Sequence, residues 1–312
     1  MFSPVLDIIL PIFGLLMMGF ISARVGWFGQ SSVKGLTRFV FDFAVPILLL
    51  STIAKANLPD VIPWGYVFSY YLGTIIVLIL GLFFSRVIRR GTFSEQVISA
   101  FSGSFSNTVL LGIPIVILTF GDDAVLPLFI IIGTHGVFMV PLFTILLELG
   151  QNENEQLKKI FFRTVNGLLI NPLVIGLVCG LILNFLEINL WKPLDEMAKL
   201  LSSSVTACSL FALGASLAYF RNNIPWKEVP IIVFLKTIIH PLIIWVMATF
   251  VFGIDEKIWI YVLILLAAQP TGVNPFLFAS RYNVGKSVSS GSAFLSTIVS
   301  IFTLSFLLSF LT

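Results

Sequence analysis

Ser106-Asn107-Thr108-Val109-Leu110-Leu111-Gly112-Ile113-Pro114 places an asparagine, a glycine and a proline inside a run otherwise apolar enough to sit in lipid. Ala268-Gln269-Pro270-Thr271-Gly272-Val273-Asn274-Pro275 does the same roughly 160 residues later. A broken backbone in hydrocarbon leaves N–H and C=O groups that cost several kcal/mol each unless something satisfies them. Two such breaks in corresponding places therefore point to a function rather than to chance.

The rest of the chain sets the context. Of its 312 residues 58% are hydrophobic and 11% charged, with mean hydropathy +1.05, whereas soluble domains carry about 25% charged residues. Runs such as Ile75 to Phe84 are continuously apolar and lack the alternation of a β-barrel, so the expectation is an all-α integral membrane protein. No basic residue precedes the apolar N-terminal run and no small-residue cleavage pattern follows it, so the first helix is expected to persist rather than leave as a signal peptide. Cys179 and Cys208 lie in apolar segments without CxxC spacing or a nearby histidine, which suits neither a metal site nor a redox pair. The net charge of +3 comes from scattered residues, so no nucleic-acid patch is indicated.

Hydropathy predicts ten spans, roughly 3–23, 35–54, 62–86, 95–119, 124–147, 160–185, 197–219, 229–252, 258–280 and 288–311. The charged linker 151–159 divides them into five and five, residues 1–150 and 160–312. With the N-terminus outside, the cytoplasmic connections hold Arg24, Lys34, Arg38, Arg86, Arg89, Arg90, Lys158, Lys159, Arg163, Arg221, Lys227, Arg281 and Lys286. The opposite side holds only Lys55, Lys192, Lys199 and Lys257. This asymmetry puts both termini outside. An odd number of spans per half turns the second half upside down, so a 5+5 inverted repeat is expected, with Gly14 and Gly19 of span 1 answering to Gly176 and Gly180 of span 6.

A lone proline in a membrane helix usually marks a kink, and Pro11, Pro46, Pro127, Pro141, Pro172 and Pro241 are read so. Spans 4 and 9 differ because each adds Gly and Asn to the breaker. Asn274 before Pro275 has the form of an N-cap followed by Pro at the first helical position, and Pro114 is expected to start a second half-helix after Gly112. Half-helix N-termini present unpaired N–H groups and a partial positive charge, which suits a small organic anion. Where the arms cross, the amides of Asn107 and Asn274 can donate and accept, and Thr108, Gln269 and Thr271 add polar groups.

Other polar residues in apolar spans are candidates for coupling or charge compensation. Asp42 reads equally as a proton or Na⁺ carrier and as a structural partner, with Arg38 one turn away to pair with it. Lys236 and His240 share a face at i, i+4, and the favoured role for Lys236 is to hold carbonyls freed by the breaks. His135, among Gly133, Thr134 and Gly136, sits in a small polar notch that could face the crossing point. No Ser/His/Asp set, metal-ligand cluster or phosphate-binding loop has a usable spacing, so the chain is expected to be neither an enzyme nor a primary pump, with no metal or cofactor.

At this point the sequence resembles the auxin efflux carrier family, which includes the plant PIN-FORMED auxin exporters and bacterial carriers proposed to move dicarboxylates. The resemblance is carried by Arg38-Phe39-Val40 and Phe43-Ala44-Val45-Pro46, by Asn107-Thr108-Val109 and Gly112-Ile113-Pro114, by Ser209-Leu210-Phe211 and Leu213-Gly214, and by Gln269-Pro270-Thr271-Gly272-Val273, Pro275-Phe276-Leu277-Phe278-Ala279 and Tyr282-Asn283-Val284. It implies a ten-helix fold similar to bile-acid transporters and sodium/proton exchangers of the NhaA type. Spans 1, 2, 6 and 7 would form a scaffold, and spans 3 to 5 with 8 to 10 a mobile transport domain. The family pattern assigns Asn107, Pro114 and Pro270 to the substrate site, with His135 at a polar site position. Asp42 stands where the plant pattern is apolar, and the long plant loop is reduced to a short linker, so an organic acid other than auxin is the better expectation.

The expected function is a secondary carrier of small organic anions, mono- or dicarboxylates, working by elevator-type alternating access in the inner membrane. Its expected site comprises Asn107, Thr108, Gly112, Pro114, Gln269, Pro270, Thr271, Gly272, Asn274 and His135, with Asp42, Lys236 and His240 in coupling. H⁺ or Na⁺ could be the coupling ion, and the expected partners are the organic acid, the bilayer and a second copy docked through the scaffold. The alternative is a Na⁺/H⁺-type cation antiporter of related fold.

Overall fold

A computed structural model describes residues 3–56, 58, 64–151, 166–167, 169–220 and 224–311. The linker 152–159, with Lys158 and Lys159, lies outside the described residues, as do Arg163 and Arg221. The described residues are helical, apart from one isolated backbone bridge and short connections. In chain order the helices are α1 (Ser3–Arg24), α2 (Gln30–Phe39), α3 (Val45–Ile53), α4 (Trp64–Arg89), α5 (Phe93–Ser104), α6 (Ile113–Phe120), α7 (Val125–Gln151), α8 (Pro172–Phe185), α9 (Lys192–Leu217), α10 (Val229–Phe234), α11 (His240–Val246), α12 (Lys257–Ala268), α13 (Asn274–Arg281) and α14 (Lys286–Leu311). Among the described residues seven helical runs are long and apolar enough to cross a membrane, and α8 and α12 are shorter apolar helices.

Prolines decide much of the local geometry. Pro11 and Pro141 are absorbed within α1 and α7. Pro46, Pro114 and Pro241 each follow, by two residues, a five-residue π-helical turn: Val40–Ala44, Thr108–Gly112 and Leu235–Ile239. In a regular helix proline lacks a donor and clashes with the carbonyl four residues back, at about 3 kcal/mol or more. A widened turn ahead of the ring re-routes those carbonyls, and such turns recur at functional sites.

Glycine sets how closely two helix pairs approach. A Cβ at Gly214 of α9 would fall 1.8 Å from the Leu16 carbonyl oxygen of α1, and one at Gly176 of α8 would fall 2.4 Å from that of Pro46 in α3. The α3/α8 pair is parallel and in register, because Gly176 meets Pro46, Gly180 meets Leu50, and the Asn184 amide donates to the carbonyls of Ile53 and Ala54 at 2.9 and 3.2 Å.

Elsewhere α5 starts with a reciprocal cap between Thr92 and Glu95 and packs on α7, where Phe101 stacks on Phe143. Between described residues, every hydrogen bond and ion pair stays within one of two sets. One set is α1–α3 with α8 and α9. The other is α4–α7 with α10–α14. Between the sets lies apolar packing, as where Phe20 meets Phe294, Phe220 meets Phe276 and Leu177 rests on Gly133.

Candidate functional site

Both expected breaks exist, and they touch. α5 stops at Ser104 and α12 at Ala268, after which the two chains run antiparallel for one bridge, Ser106 to Thr271. The Asn107 N–H donates to the Pro270 carbonyl at 3.0 Å, and the Gly272 N–H donates to the Phe105 carbonyl at 3.0 Å. Each arm thus satisfies backbone that the other's break left open, which answers the cost of breaking a helix in lipid. The Thr271 N–H adds a bond to Ser296 Oγ at 3.0 Å, and its hydroxyl donates to the Ser102 carbonyl at 2.7 Å.

The restart of span 4 corrects one expectation. Asn107, not the Gly112-Pro114 pair, begins the second half: its Oδ1 accepts from the Leu110 N–H at 3.3 Å and its carbonyl accepts from the Gly112 N–H at 3.0 Å. Gly112 has ordinary right-handed dihedrals, and Pro114 lies inside the helix the π turn has already opened. What Gly112 supplies is clearance, since a Cβ there would press on Leu266 at 3.0 Å, and one at Gly272 would meet the Phe105 ring at 2.8 Å. Span 9 needs a smaller correction. Asn274 is the first helical residue of α13 and Val273 holds the cap position, so the Asn274 amide is free of capping.

Beside the crossing lies a cavity of about 310 Å³. Of the expected site residues, Asn107, Thr108, Gly272, Asn274, His135 and Asp42 line it. Gly112, Pro114, Gln269, Pro270 and Thr271 stand behind that wall and build the arms. His135 is 3% exposed and held among Phe105, Tyr70 and Tyr71, with ring centroids 4.5, 5.8 and 6.2 Å away. Among the described residues neither of its ring nitrogens has a partner, nor does Asn107 Nδ2, whose amide oxygen is spent on the cap. Buried polar groups left open on a cavity wall are places where a ligand supplies the missing partner.

Lys236 and His240 lie outside the cavity. Lys236 is fully buried, donates to the Ala267 carbonyl at the end of α12, and meets His240 Nδ1 at 3.1 Å. His240 Nε2 lies 3.1 Å from Thr74 Oγ1, whose hydroxyl donates to the Tyr70 carbonyl at 2.7 Å. With Lys236 as donor, this chain assigns the ring proton to Nε2. Asp42, by contrast, is exposed at the cavity edge and makes no ion pair with Arg38, so the structural pairing weighed as one alternative is absent; two exposed charges gain little from meeting.

The sequence reading missed a third interruption. Pro172 was expected to be a kink and Asn171 was not singled out, yet Asn171 caps the start of α8, its Oδ1 accepting from the Leu173 N–H at 2.9 Å, and both residues line the cavity. The Asn-Pro dipeptide, the same as at 274–275, was the available signal.

The chain matches the family described as Membrane transport protein over residues 4–308. It is 23% identical over 307 residues to a Rhizobium meliloti protein named "Putative malonate transporter", covering 98% of this chain and 95% of that one. It is 25% identical over 343 aligned positions to auxin efflux carrier component 8 of Arabidopsis thaliana, covering 93% of each. It is also 22% identical to the uncharacterized transporter YfdV of Escherichia coli, over 93% of this chain and 92% of that one.

Proposed function

The chain belongs to the membrane transport protein family, a multi-pass membrane transporter and not an enzyme, and from that premise we propose that it is a secondary carrier of small organic anions that binds them in the cavity at the crossing. The observation that carries this reading is the set of open donors on one wall: Asn107 Nδ2 and His135, beside two restarting helices whose N-termini carry partial positive charge. A carboxylate is the group that complements them. The similarity to a protein named as a malonate transporter supports a short organic acid.

The movement we propose is an elevator, with α4–α7 and α10–α14 travelling against α1–α3, α8 and α9. Its support is that hydrogen bonds between described residues stay within each set, so that sliding breaks none of them. The cavity lies between the sets, with Asp42 and Asn171 on one wall and Asn107 and His135 on the other. Ten spans as an inverted repeat remain the proposed threading. It is supported by contacts that join only connections expected on the same side: Lys55 with Asp195 on one, Tyr219 with the Phe28 carbonyl and Gln151 with the Tyr282 carbonyl on the other. In this threading the termini face outward from the inner membrane. Ile175, Val178 and Ile182 form an exposed apolar stripe on α8, which suits docking of a second scaffold.

Purified protein in liposomes should take up a radiolabelled short carboxylate saturably. If Na⁺ addition moves internal pH while no carboxylate is transported, the cation antiporter replaces this reading.

A further inference from the structure

Resting on the organic-anion reading, we propose that the wall opposite the crossing is a second subsite, built by Asn171 and Asp42, for a neutral group that both accepts and donates a hydrogen bond. The substrate class that follows is a singly charged organic acid with a hydroxyl, amide or un-ionised carboxyl at its far end.

The register of α3 and α8 brings the two residues together. Pro46 meets Gly176 and Leu50 meets Gly180, and the Val40–Ala44 turn that leads into α3 and carries Asp42 packs against α8. Both Asp42 and Asn171 line the cavity. Asn171 spends its Oδ1 on the Leu173 N–H, which leaves its Nδ2 as a donor, as the cap of Asn107 does across the cavity. Asp42, exposed and without an ion-pair partner among the described residues, offers a carboxylate acceptor.

The two walls therefore ask for different chemistry. The crossing offers Asn107 Nδ2 as an open donor, with His135 unpartnered beside it and no acidic side chain on that wall, and takes a carboxylate. The opposite wall offers one donor and one anion. A second carboxylate there would accept from Asn171 but face the charge of Asp42, whereas a hydroxyl satisfies both. A methyl group satisfies neither and strands two polar groups on binding.

Binding to detergent-purified protein, measured by titration calorimetry at pH 8, tests this with 3-hydroxypropionate, butyrate and malonate. The expected order is 3-hydroxypropionate tighter than butyrate and than the malonate dianion by about tenfold or more. Asp42→Asn, which replaces the acceptor-only carboxylate with an amide, should raise malonate affinity about tenfold. Asn171→Ser, which keeps an oxygen to cap α8, should bring 3-hydroxypropionate and butyrate to similar affinities. Should Asn171→Ser not fold, Asp42→Asn alone decides, since Asp42 makes no hydrogen bond or ion pair to another described side chain. Butyrate or malonate binding to the wild type as tightly as 3-hydroxypropionate, or a malonate affinity unchanged in Asp42→Asn, overturns the second subsite while leaving the anion site standing. Failure of all three acids to bind overturns the anion site itself and the subsite with it.

Discussion

Lys236 and Ala267 are joined across two elements, the buried ammonium donating to a carbonyl in the last turn of α12 just before the chain breaks. The four final carbonyls of any helix lack partners, and here they end inside the protein rather than in water. Lys236→Met keeps the length and apolar stem but removes the donor, stranding the Ala267 carbonyl and His240 Nδ1. Each buried group left unsatisfied costs ~1–3 kcal/mol. Detergent melting curves should shift down clearly for Lys236→Met. A curve unchanged from wild type would mean that Lys236 does not hold the break, and its place would then be in coupling.

The Asn107 amide does two jobs that one substitution separates. Asn107→Asp retains an oxygen for the Leu110 N–H but turns the donor on the cavity into an anion. For a carboxylate substrate KM in proteoliposome uptake should rise about tenfold or more, with melting unchanged. Pro114→Ala should act differently, allowing the Thr108–Gly112 turn to relax toward regular helix and lowering kcat as well. Wild-type uptake by both variants would remove the crossing from the mechanism.

These arms were legible in the sequence because Asn, Gly and Pro in a run destined for lipid have few structural excuses. The helix starts within them were less so. Pro114 drew attention to its own position, whereas the break sits at Phe105–Asn107, where the partner arm supplies the missing backbone bonds. That partner is roughly 160 residues distant, and no local propensity reveals it. Asn171 was hidden differently: Pro172 reads as a kink until α3 is seen lying parallel to α8, with Asp42 of the preceding turn lining the same cavity as Asn171. The π turns share this origin, since their prolines are visible but the widening is settled by packing. The mismatch of Arg38 and Asp42 came from exposure, which spacing alone does not encode.

Close helix contact makes a sharp prediction for two glycines, Gly214 at the α1/α9 seam and Gly14 on the open face of α1. Gly214→Val would drive a side chain into the Leu16 carbonyl, already 1.8 Å from an ideal Cβ, so α1 and α9 must part. Gly14→Ala, on the same helix as Leu16, meets nothing within 4 Å. Size-exclusion profiles should show monodisperse Gly14→Ala and little or no monodisperse Gly214→Val. Equal recovery of both would place the α1/α9 contact elsewhere than at Gly214.

Sliding of one helix set past the other can be tested at Phe220 and Phe276, whose rings lie 4.9 Å apart, one from each set. In a background of Cys179→Ser and Cys208→Ser, the pair Phe220→Cys and Phe276→Cys would be joined by a short bismaleimide in liposomes. If the two sets move relative to each other during each cycle, joining them here stops uptake, while the same reagent on either single cysteine leaves most of it. Substrate binding should survive the link, because the cavity walls are held in the arrangement described. Uptake that continues in the fully cross-linked protein would mean that the sets stay fixed and that access changes within α4–α7 and α10–α14 alone.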